Sequence, residues 1–306
     1  MSLNPTMWNG LAYYESNNRK KPLLLLHAQG TASQSFENVF SELSQYYHVY
    51  AVDCYGHGFS EKNPDKYNIV AIGSDMISFI REVIGGKTEI LGHSSGALIG
   101  AYIAAESDCC TRLILEDPQF FSTQGERRFS TYHYNDLSLA CNDFLNQSKQ
   151  KDFVTYYFEH QYAWRFFPEA DRESVRRKAT ARAARFRRRH PDKNLKVLFW
   201  PKAAMEAFVG MQYYDPRFGK AFYDDSFHCG IPHEEILKKI QCDTVVLKAK
   251  TETGDEGILY SAMSDEDLLL LEETLKYVRV IRFDCGHGIH IVRAKQFMSA
   301  VIRGRI

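Results

Sequence analysis

The chain has 306 residues, of which 44% are hydrophobic, and it carries equal numbers of basic and acidic residues. This length and apolar content predict one large domain with an insertion, or two smaller domains, and exclude a disordered chain. The balanced charge excludes a general attraction to nucleic acid or to an anionic membrane. Because no apolar run approaches the roughly 20 residues of a membrane-spanning helix, we expect a cytoplasmic protein without a membrane partner.

The first third of the chain alternates short apolar segments with helical ones, which is typical of a parallel sheet covered by helices. Leu11 to Glu15 is predicted as an edge strand. The elements predicted after it are strand 22–27, helix 36–43, strand 49–53, helix 69–83, strand 89–91, helix 95–105 and strand 113–115. The sequence therefore predicts an α/β fold.

The character of the sequence changes between residues 123 and 230. Strand patterns vanish there, and this third of the chain holds more than half of all Phe, Trp and Tyr residues. Strand and helix patterns return afterwards, with strands at 245–249 and 278–283 and helices at 265–277 and 294–302. We therefore predict a core formed by residues 1–122 and 231–306, with an inserted helical domain at 123–230.

Ser94 lies at the centre of a G-x-S-x-G motif, between a predicted strand and a helix that begins with small residues. A sharp turn from strand to helix exposes the serine hydroxyl at a helix N-terminus, where backbone N–H groups favour anions. An ordinary tight turn is the alternative. We predict Ser94 as a nucleophile and the N–H of Ser95 as a donor to the oxyanion.

The seven cysteines are scattered and show no metal-ligand spacing, so we expect reduced thiols and no metal. Cys285 lies two residues before His287, but no context that would activate a thiol surrounds it. The Gly56-His57-Gly58 segment lacks the lysine and the spacing of a nucleotide-binding loop, so no cofactor is expected.

Four segments in chain order resemble the α/β-hydrolase superfamily: residues 23–30, residues 52–60, the Gly92 to Gly96 turn and Cys285-Gly286-His287. The sequence is similar to the branch with a helical cap between strands six and seven, which includes carboxylesterases, proline iminopeptidases and carbon–carbon bond hydrolases. The resemblance implies a mostly parallel sheet flanked by helices and a hydrolytic reaction type, without a substrate.

The resemblance also implies site residues. His287 corresponds to the catalytic base, with His290 as its rival, and Gln29 inherits the second oxyanion N–H although Ala28 replaces the usual glycine. The triad acid remains open: distance from the preceding strand favours Glu252, whereas residue type favours Asp255. Asp117, used by some relatives, is a third option, although an Asp-Pro pair is more often a loop signal.

A serine nucleophile implies an acyl-enzyme, so we expect a hydrolase of small carboxylic esters or related acyl compounds. A carbon–carbon bond hydrolase and an aminopeptidase are alternatives within the fold, and a non-catalytic ligand receptor is an alternative of another class. The basic stretch from Arg176 to His190 is interpreted as a solvated helix paired with acids. Recognition of an acidic substrate or partner is the alternative, and a nucleic-acid site is disfavoured because no nucleic-acid-binding motif accompanies it. The insertion's aromatic residues would serve its core, an acyl pocket or a homodimer interface.

Overall fold

The computed structural model describes residues 4–197, 205–254 and 256–304. Within them, eight strands form one sheet in the order β1-β2-β4-β3-β5-β6-β7-β8. The strands are β1 (Thr6–Trp8), β2 (Leu11–Glu15), β3 (Pro22–Leu26), β4 (His48–Val52), β5 (Thr88–His93), β6 (Cys110–Glu116), β7 (Asp243–Lys248) and β8 (Val278–Arg282).

The sheet is antiparallel only at its N-terminal edge. The β1–β2 and β2–β4 pairs are antiparallel, and every other pair is parallel. Leu11–Glu15 was predicted as an edge strand, but Thr6–Trp8 pairs outside it and forms the edge. This short strand carries too weak an apolar pattern to be recognised from sequence.

Helices cover both faces of the sheet. They are α1 (Glu37–Leu43), α2 (Ile69–Phe79), α3 (Ser95–Glu106), α4 (Leu139–Leu145), α5 (Phe153–His160), α6 (Glu169–Arg189), α7 (Pro216–Tyr223), α8 (His233–Lys239), α9 (Asp265–Thr274), α10 (Ile289–Val292) and α11 (Ala294–Arg303). None of the helices in the described residues is both long and apolar enough to cross a membrane.

Strand β3 shows how the two faces are built. Leu23 and Leu25 belong to one apolar cluster, with α1 and α11, whereas Leu24 and Leu26 belong to a second one, with α2 and α3. Successive side chains of a strand point to opposite faces, so an uninterrupted leucine run fits a strand that is covered on both. The predicted α/β-hydrolase architecture is confirmed.

Helices α4 to α7 lie in the segment between β6 and β7, and no described residue from 123 to 230 belongs to a strand of the sheet. Aromatic side chains such as Phe158, Phe208 and Phe222 are buried there. These aromatic residues belong to the same apolar cluster as Leu24 and Leu26 of β3, so the segment shares its core with one face of the sheet. We refer to residues 123–230 as the insertion.

Helix α6 carries the basic stretch of the insertion. Ala179 and Ala183 are buried, Arg176 pairs with Glu173, and Arg187 pairs with Asp152. Six further cations are exposed and have no ion-pair partner among the described residues: Arg177, Lys178, Arg182, Arg185, Arg188 and Arg189. The interpretation as a helix neutralised by acids therefore holds for only part of its basic residues.

Candidate active site

Ser94 occupies a strained turn between β5 and α3. Its backbone has φ 58° and ψ −117°, a conformation that costs energy for any residue other than glycine. The Ser94 N–H donates to the Glu116 carbonyl at 2.9 Å, and the Ala97 N–H donates to the Ser94 carbonyl at 3.0 Å. These bonds hold the strained residue between the sheet and the first turn of α3.

The glycines of the motif are required by close backbone contacts. A Cβ at Gly92 would collide with the backbone of Gly96, and a Cβ at Gly96 would collide with the carbonyl of Leu26. The first turn of α3 therefore packs directly against the end of β3. This contact points the N-terminus of α3, with its unsatisfied N–H groups, towards the loop that follows β3.

The loop after β3 is held by two buried histidines. His27 Nε2 accepts from the Cys54 N–H at 3.0 Å, and His57 Nε2 accepts from the Gly30 N–H at 3.1 Å. Burial lowers the pKa of both imidazoles, which keeps them neutral and able to accept. They act as structural supports of the loop.

Gln29 lies in this loop, between Ala28 and Gly30. Its side-chain amide donates to the Tyr214 hydroxyl at 2.9 Å, and its Oε1 accepts from His133 Nε2 at 2.6 Å. Neither the Gln29 N–H nor the Ser95 N–H takes part in a hydrogen bond that we find among the described residues. Both N–H groups are thus available to a ligand, as an oxyanion hole requires.

His287 is bonded to Asp117. The His287 Nδ1 to Asp117 Oδ2 distance is 2.7 Å, and the carboxylate is 0% exposed. Asp117 Oδ1 accepts from the Ala249 N–H at 3.1 Å, and the Asp117 N–H donates to the Leu247 carbonyl at 2.8 Å. Asp117 therefore lies just beyond β6, fixed against the end of β7.

The Asp117 contact governs the protonation of His287. Burial lowers the pKa of the imidazole, but the hydrogen bond and charge of Asp117, with the nearby carboxylates of Glu206 and Glu116, outweigh it. The pKa of His287 therefore lies above its ordinary value. With Nδ1–H donated to Asp117, the free Nε2 is the nitrogen that can accept a proton.

The two carboxylates favoured from sequence have different positions. The Glu252 side chain is 56% exposed and pairs with Lys250 at 3.3 Å, and in the described part of the chain it makes no contact with His287. Asp255 lies outside the described residues. Of the options left open by the sequence, the geometry disfavours Glu252, because Asp117 occupies the Nδ1 side of the imidazole.

His290 belongs to a separate buried pair. Its backbone N–H and its Nδ1 both bond Glu116 Oε1 at 2.8 Å, and its Nε2 bonds the Ser35 carbonyl at 3.2 Å. Burial lowers the pKa of His290, but the Glu116 carboxylate raises it more, so the net shift is upward. Since both ring nitrogens are engaged, His290 is not free to act on Ser94.

His93, Glu116 and His290 have ligand atoms within 4.8 Å of one another and are the residues nearest to a metal-binding arrangement in the described chain. However, the Glu116 carboxylate already accepts hydrogen bonds from His290. This cluster is therefore better explained as an internal ion pair than as a metal centre. Burial also raises the pKa of Cys285 to about 11, which disfavours a thiolate beside His287.

A cavity of about 250 Å³ contains Ser94, His287, Ala28 and Gln29. The insertion contributes part of its wall, including Tyr132, His133, Leu137 and Tyr157. No hydrogen bond between the Ser94 hydroxyl and His287 is found among the described residues, and such bonds are often long until substrate is bound. The cavity therefore brings together a strained serine, a carboxylate-bonded imidazole and Gln29, and Ser95 follows the serine at the start of α3.

Residues 23–301 match the model of the alpha/beta hydrolase family, and the chain belongs to this family. Among curated relatives, an uncharacterised protein of Mycobacterium tuberculosis (strain ATCC 25618 / H37Rv) is 31% identical over 94 residues. The aligned segment spans 30% of this chain and 28% of that relative.

Solved structures with the same fold include a hydrolase from Pseudomonas aeruginosa, with TM-score 0.62, 18% identity and coverage of 95% of this chain and 92% of the other. An enol-lactonase from Burkholderia xenovorans has TM-score 0.58, 16% identity and 96% coverage of both chains. An esterase from Exiguobacterium antarcticum has TM-score 0.60, 15% identity and coverage of 99% and 98%. At these identities the likeness concerns the fold.

Proposed function

We propose that this protein is a serine hydrolase that acts through an acyl-enzyme on small carboxylic esters or related acyl compounds. Its triad would consist of Ser94, His287 and Asp117. The observation that carries the proposal is that His287, which lines the same cavity as the strained Ser94, is bonded through Nδ1 to the buried Asp117. Family membership supports the reaction class.

The reaction would begin when His287 Nε2 accepts the proton of the Ser94 hydroxyl, whose oxygen attacks the substrate carbonyl. The N–H groups of Gln29 and Ser95 would stabilise the oxyanion. The resulting imidazolium, stabilised by Asp117, would then protonate the leaving alcohol as the ester bond breaks. A water molecule, deprotonated by His287, would then attack the acyl-enzyme and release the acid. The His287 imidazolium would return the proton to the Ser94 oxygen as the acyl bond breaks.

The cavity supports a small substrate. About 250 Å³ suits a short acyl chain, and Leu137, Ala163 and Met211 give part of the wall an apolar character. Neighbours of the same fold named as an esterase and an enol-lactonase act on the same kind of bond. A serine in the turn between β5 and α3 favours acyl transfer, because alkyl-enzyme chemistry needs a carboxylate nucleophile at that position.

The test is labelling with a fluorophosphonate probe, which reacts with activated serines. We expect labelling of the wild type and of Ser41→Ala, which removes an exposed hydroxyl of α1, and none of Ser94→Ala. Turnover of p-nitrophenyl esters of increasing acyl length would then measure the size of the pocket. A folded wild-type protein that neither labels nor hydrolyses any ester would contradict the proposal and favour a ligand receptor.

A further inference from the structure

Three residues that line the cavity have a buried polar side-chain atom without a hydrogen bond. The atoms are His93 Nδ1, Gln119 Oε1 and Glu206 Oε1. Buried polar groups in folded proteins are almost always hydrogen-bonded, and an unmade bond is costly. Three polar groups without hydrogen bonds around one cavity therefore indicate which hydrogen-bonding groups a ligand would have to supply.

All three atoms are hydrogen-bond acceptors. For His93 this follows from its other nitrogen, because Nε2 faces the His287 carbonyl at 3.2 Å and must carry the proton. Burial, with the nearby histidines, holds the pKa of His93 well below its usual range, so the ring is neutral and Nδ1 keeps its lone pair. The amide oxygen of Gln119 is an acceptor, and so is the Glu206 carboxylate when it is ionised. The cavity therefore lacks hydrogen-bond donors for these three acceptors.

Glu206 is the central member of this group. It lies in a 3₁₀ turn, Glu206–Phe208, of the insertion, and only 8% of it is exposed. Its Oε1 is 3.5 Å from His93 Nδ1 and 3.9 Å from His290 Nε2. A Cβ at Gly288 would collide with Oε2, so the carboxyl group lies directly against the residue that follows His287.

The charged residues of the cavity also favour a ligand that carries a hydrogen-bond donor. No lysine or arginine is among the described lining residues, whereas two carboxyl groups are, those of Glu206 and Asp136. Asp136 is already bonded by the Tyr157 hydroxyl and the Tyr162 N–H. Glu206 Oε1, by contrast, has no hydrogen bond among the described residues and faces only the rings of His93 and His290, at 3.5 and 3.9 Å. Burial lowers the pKa of His133 to about 3, so this lining imidazole gives no compensating positive charge. A substrate carboxylate would therefore meet two acids and no lysine or arginine, and once His287 is neutral it would have no cationic partner among the described lining residues.

We propose that the cavity accepts acyl groups that bear a hydrogen-bond donor, an ammonium or a hydroxyl group, and rejects acyl groups that bear a carboxylate. Glu206 is the residue that recognises the donor. This inference rests on the proposed function, since it specifies the acyl group that would reach Ser94. The fold neighbours carry no information on it, because their likeness to this chain is limited to the fold.

The experiment compares four methyl esters of similar length: methyl butyrate, methyl 4-hydroxybutyrate, methyl 4-aminobutyrate and monomethyl succinate. Hydrolysis is followed by proton release. We expect kcat/KM to be highest for the amino or hydroxy ester and lowest for the succinate. In Glu206→Gln, the preference for the amino ester over methyl butyrate should fall about 10-fold to 100-fold, because a charge-assisted bond is lost. The matched control, Glu169→Gln, changes an exposed glutamate at the start of α6 and should keep the wild-type ratios.

A binding measurement separates this inference from the proposed function. Ser94→Ala, which lacks the nucleophile, is titrated calorimetrically with butanamide, 4-hydroxybutanamide, 4-aminobutanamide and succinamate. Tighter binding of the hydroxy or amino amide would support donor recognition even if every ester were inert, and the tighter of the two identifies the donor. Equal binding of all four, or tightest binding of succinamate, would overturn the inference even if esters were hydrolysed.

A second measurement requires no variant at Glu206. Burial raises the pKa of Glu206, so its carboxylate forms over a higher pH range than an exposed glutamate would require. The ratio of kcat/KM for methyl 4-aminobutyrate to that for methyl butyrate should therefore increase with pH as Glu206 ionises. The ratio cancels the ionisation of His287, which both substrates share. A ratio that stays constant between pH 5 and 8 would argue against recognition of an ammonium group by Glu206.

Discussion

Asp117→Asn changes one atom of the candidate triad and leaves its geometry in place. Asp117 has φ 39°, a region that asparagine tolerates better than most residues, so the backbone strain should not increase. The orientation of the new amide is dictated by the Ala249 N–H, which now donates to Asp117 Oδ1 at 3.1 Å. The oxygen of the new side-chain amide would take that bond, and its NH₂ group would face His287 Nδ1.

This orientation reverses the tautomer of His287. An NH₂ group donates, so Nδ1 would become the acceptor and the proton would move to Nε2, where it blocks removal of the Ser94 proton. The same substitution in a serine protease triad reduces kcat by about 10⁴, and we expect a loss of about 10³-fold to 10⁴-fold here. This loss corresponds to about 4 to 5.5 kcal/mol of transition-state stabilisation.

The assay is kcat/KM for a short p-nitrophenyl ester, with circular dichroism and urea unfolding to establish that the variant is folded. The matched control is Glu252→Gln, which alters an exposed carboxylate paired with Lys250 and should stay within about twofold of wild type. The reasoning would be refuted if Asp117→Asn kept more than a tenth of the activity. A large loss in Glu252→Gln would likewise return Glu252 to the triad.

Three further outcomes are expected. Because the base must be neutral and the pKa of His287 is raised, kcat/KM for an uncharged ester should rise with pH through a midpoint above about 6.5, and a midpoint below pH 6 would contradict this. His290→Ala leaves the Glu116 carboxylate buried without its partner and should cost about 3 to 5 kcal/mol in urea unfolding at pH 6. Because the pKa of His290 is raised in the folded protein, this loss of stability should be largest below about pH 6.5 and diminish as the pH rises through that raised pKa. A loss that does not change with pH would contradict an ion pair between His290 and Glu116. Gly96→Ala should lower the free energy of unfolding by about 1 to 3 kcal/mol and abolish fluorophosphonate labelling, because its Cβ would collide with the Leu26 carbonyl. Labelling at the wild-type level would contradict this, since it would show that the turn between β5 and α3 can shift.

The parts of the site that sequence predicts well are those set by neighbours in the chain. The elbow around Ser94 depends on a strand, two small residues and a helix within ten positions, and each leaves a local signal. The leucines of β3 likewise identify a strand buried on both faces without knowledge of its partners. Ser95 follows Ser94 in this motif, whereas Gln29 was assigned from the resemblance to the family; neither N–H takes part in a hydrogen bond among the described residues.

Glu206 could not be found in this way. It lies in a short turn of the insertion, more than a hundred residues after His93 and more than eighty before Gly288. Its apolar neighbours Met205, Ala207 and Phe208 are compatible with burial, but they do not indicate which residues the carboxylate would face. Only the packing of the insertion over the sheet distinguishes a buried carboxylate from an exposed one.

The choice of the triad acid illustrates the same limit within the sheet. Strands β6, β7 and β8 are parallel neighbours, so the carboxyl ends of β6 and β7 both lie close to the loop after β8 that carries His287. Glu116 pairs in register with Leu247, and Asp117 is the next residue, beside Ala249 at the end of β7. Glu116 and Asp117 then bond different histidines, His290 and His287, as adjacent residues with side chains on opposite sides can do. The chain order of serine, acid and histidine is satisfied by an acid after either strand, so only the three-dimensional contact decides between them.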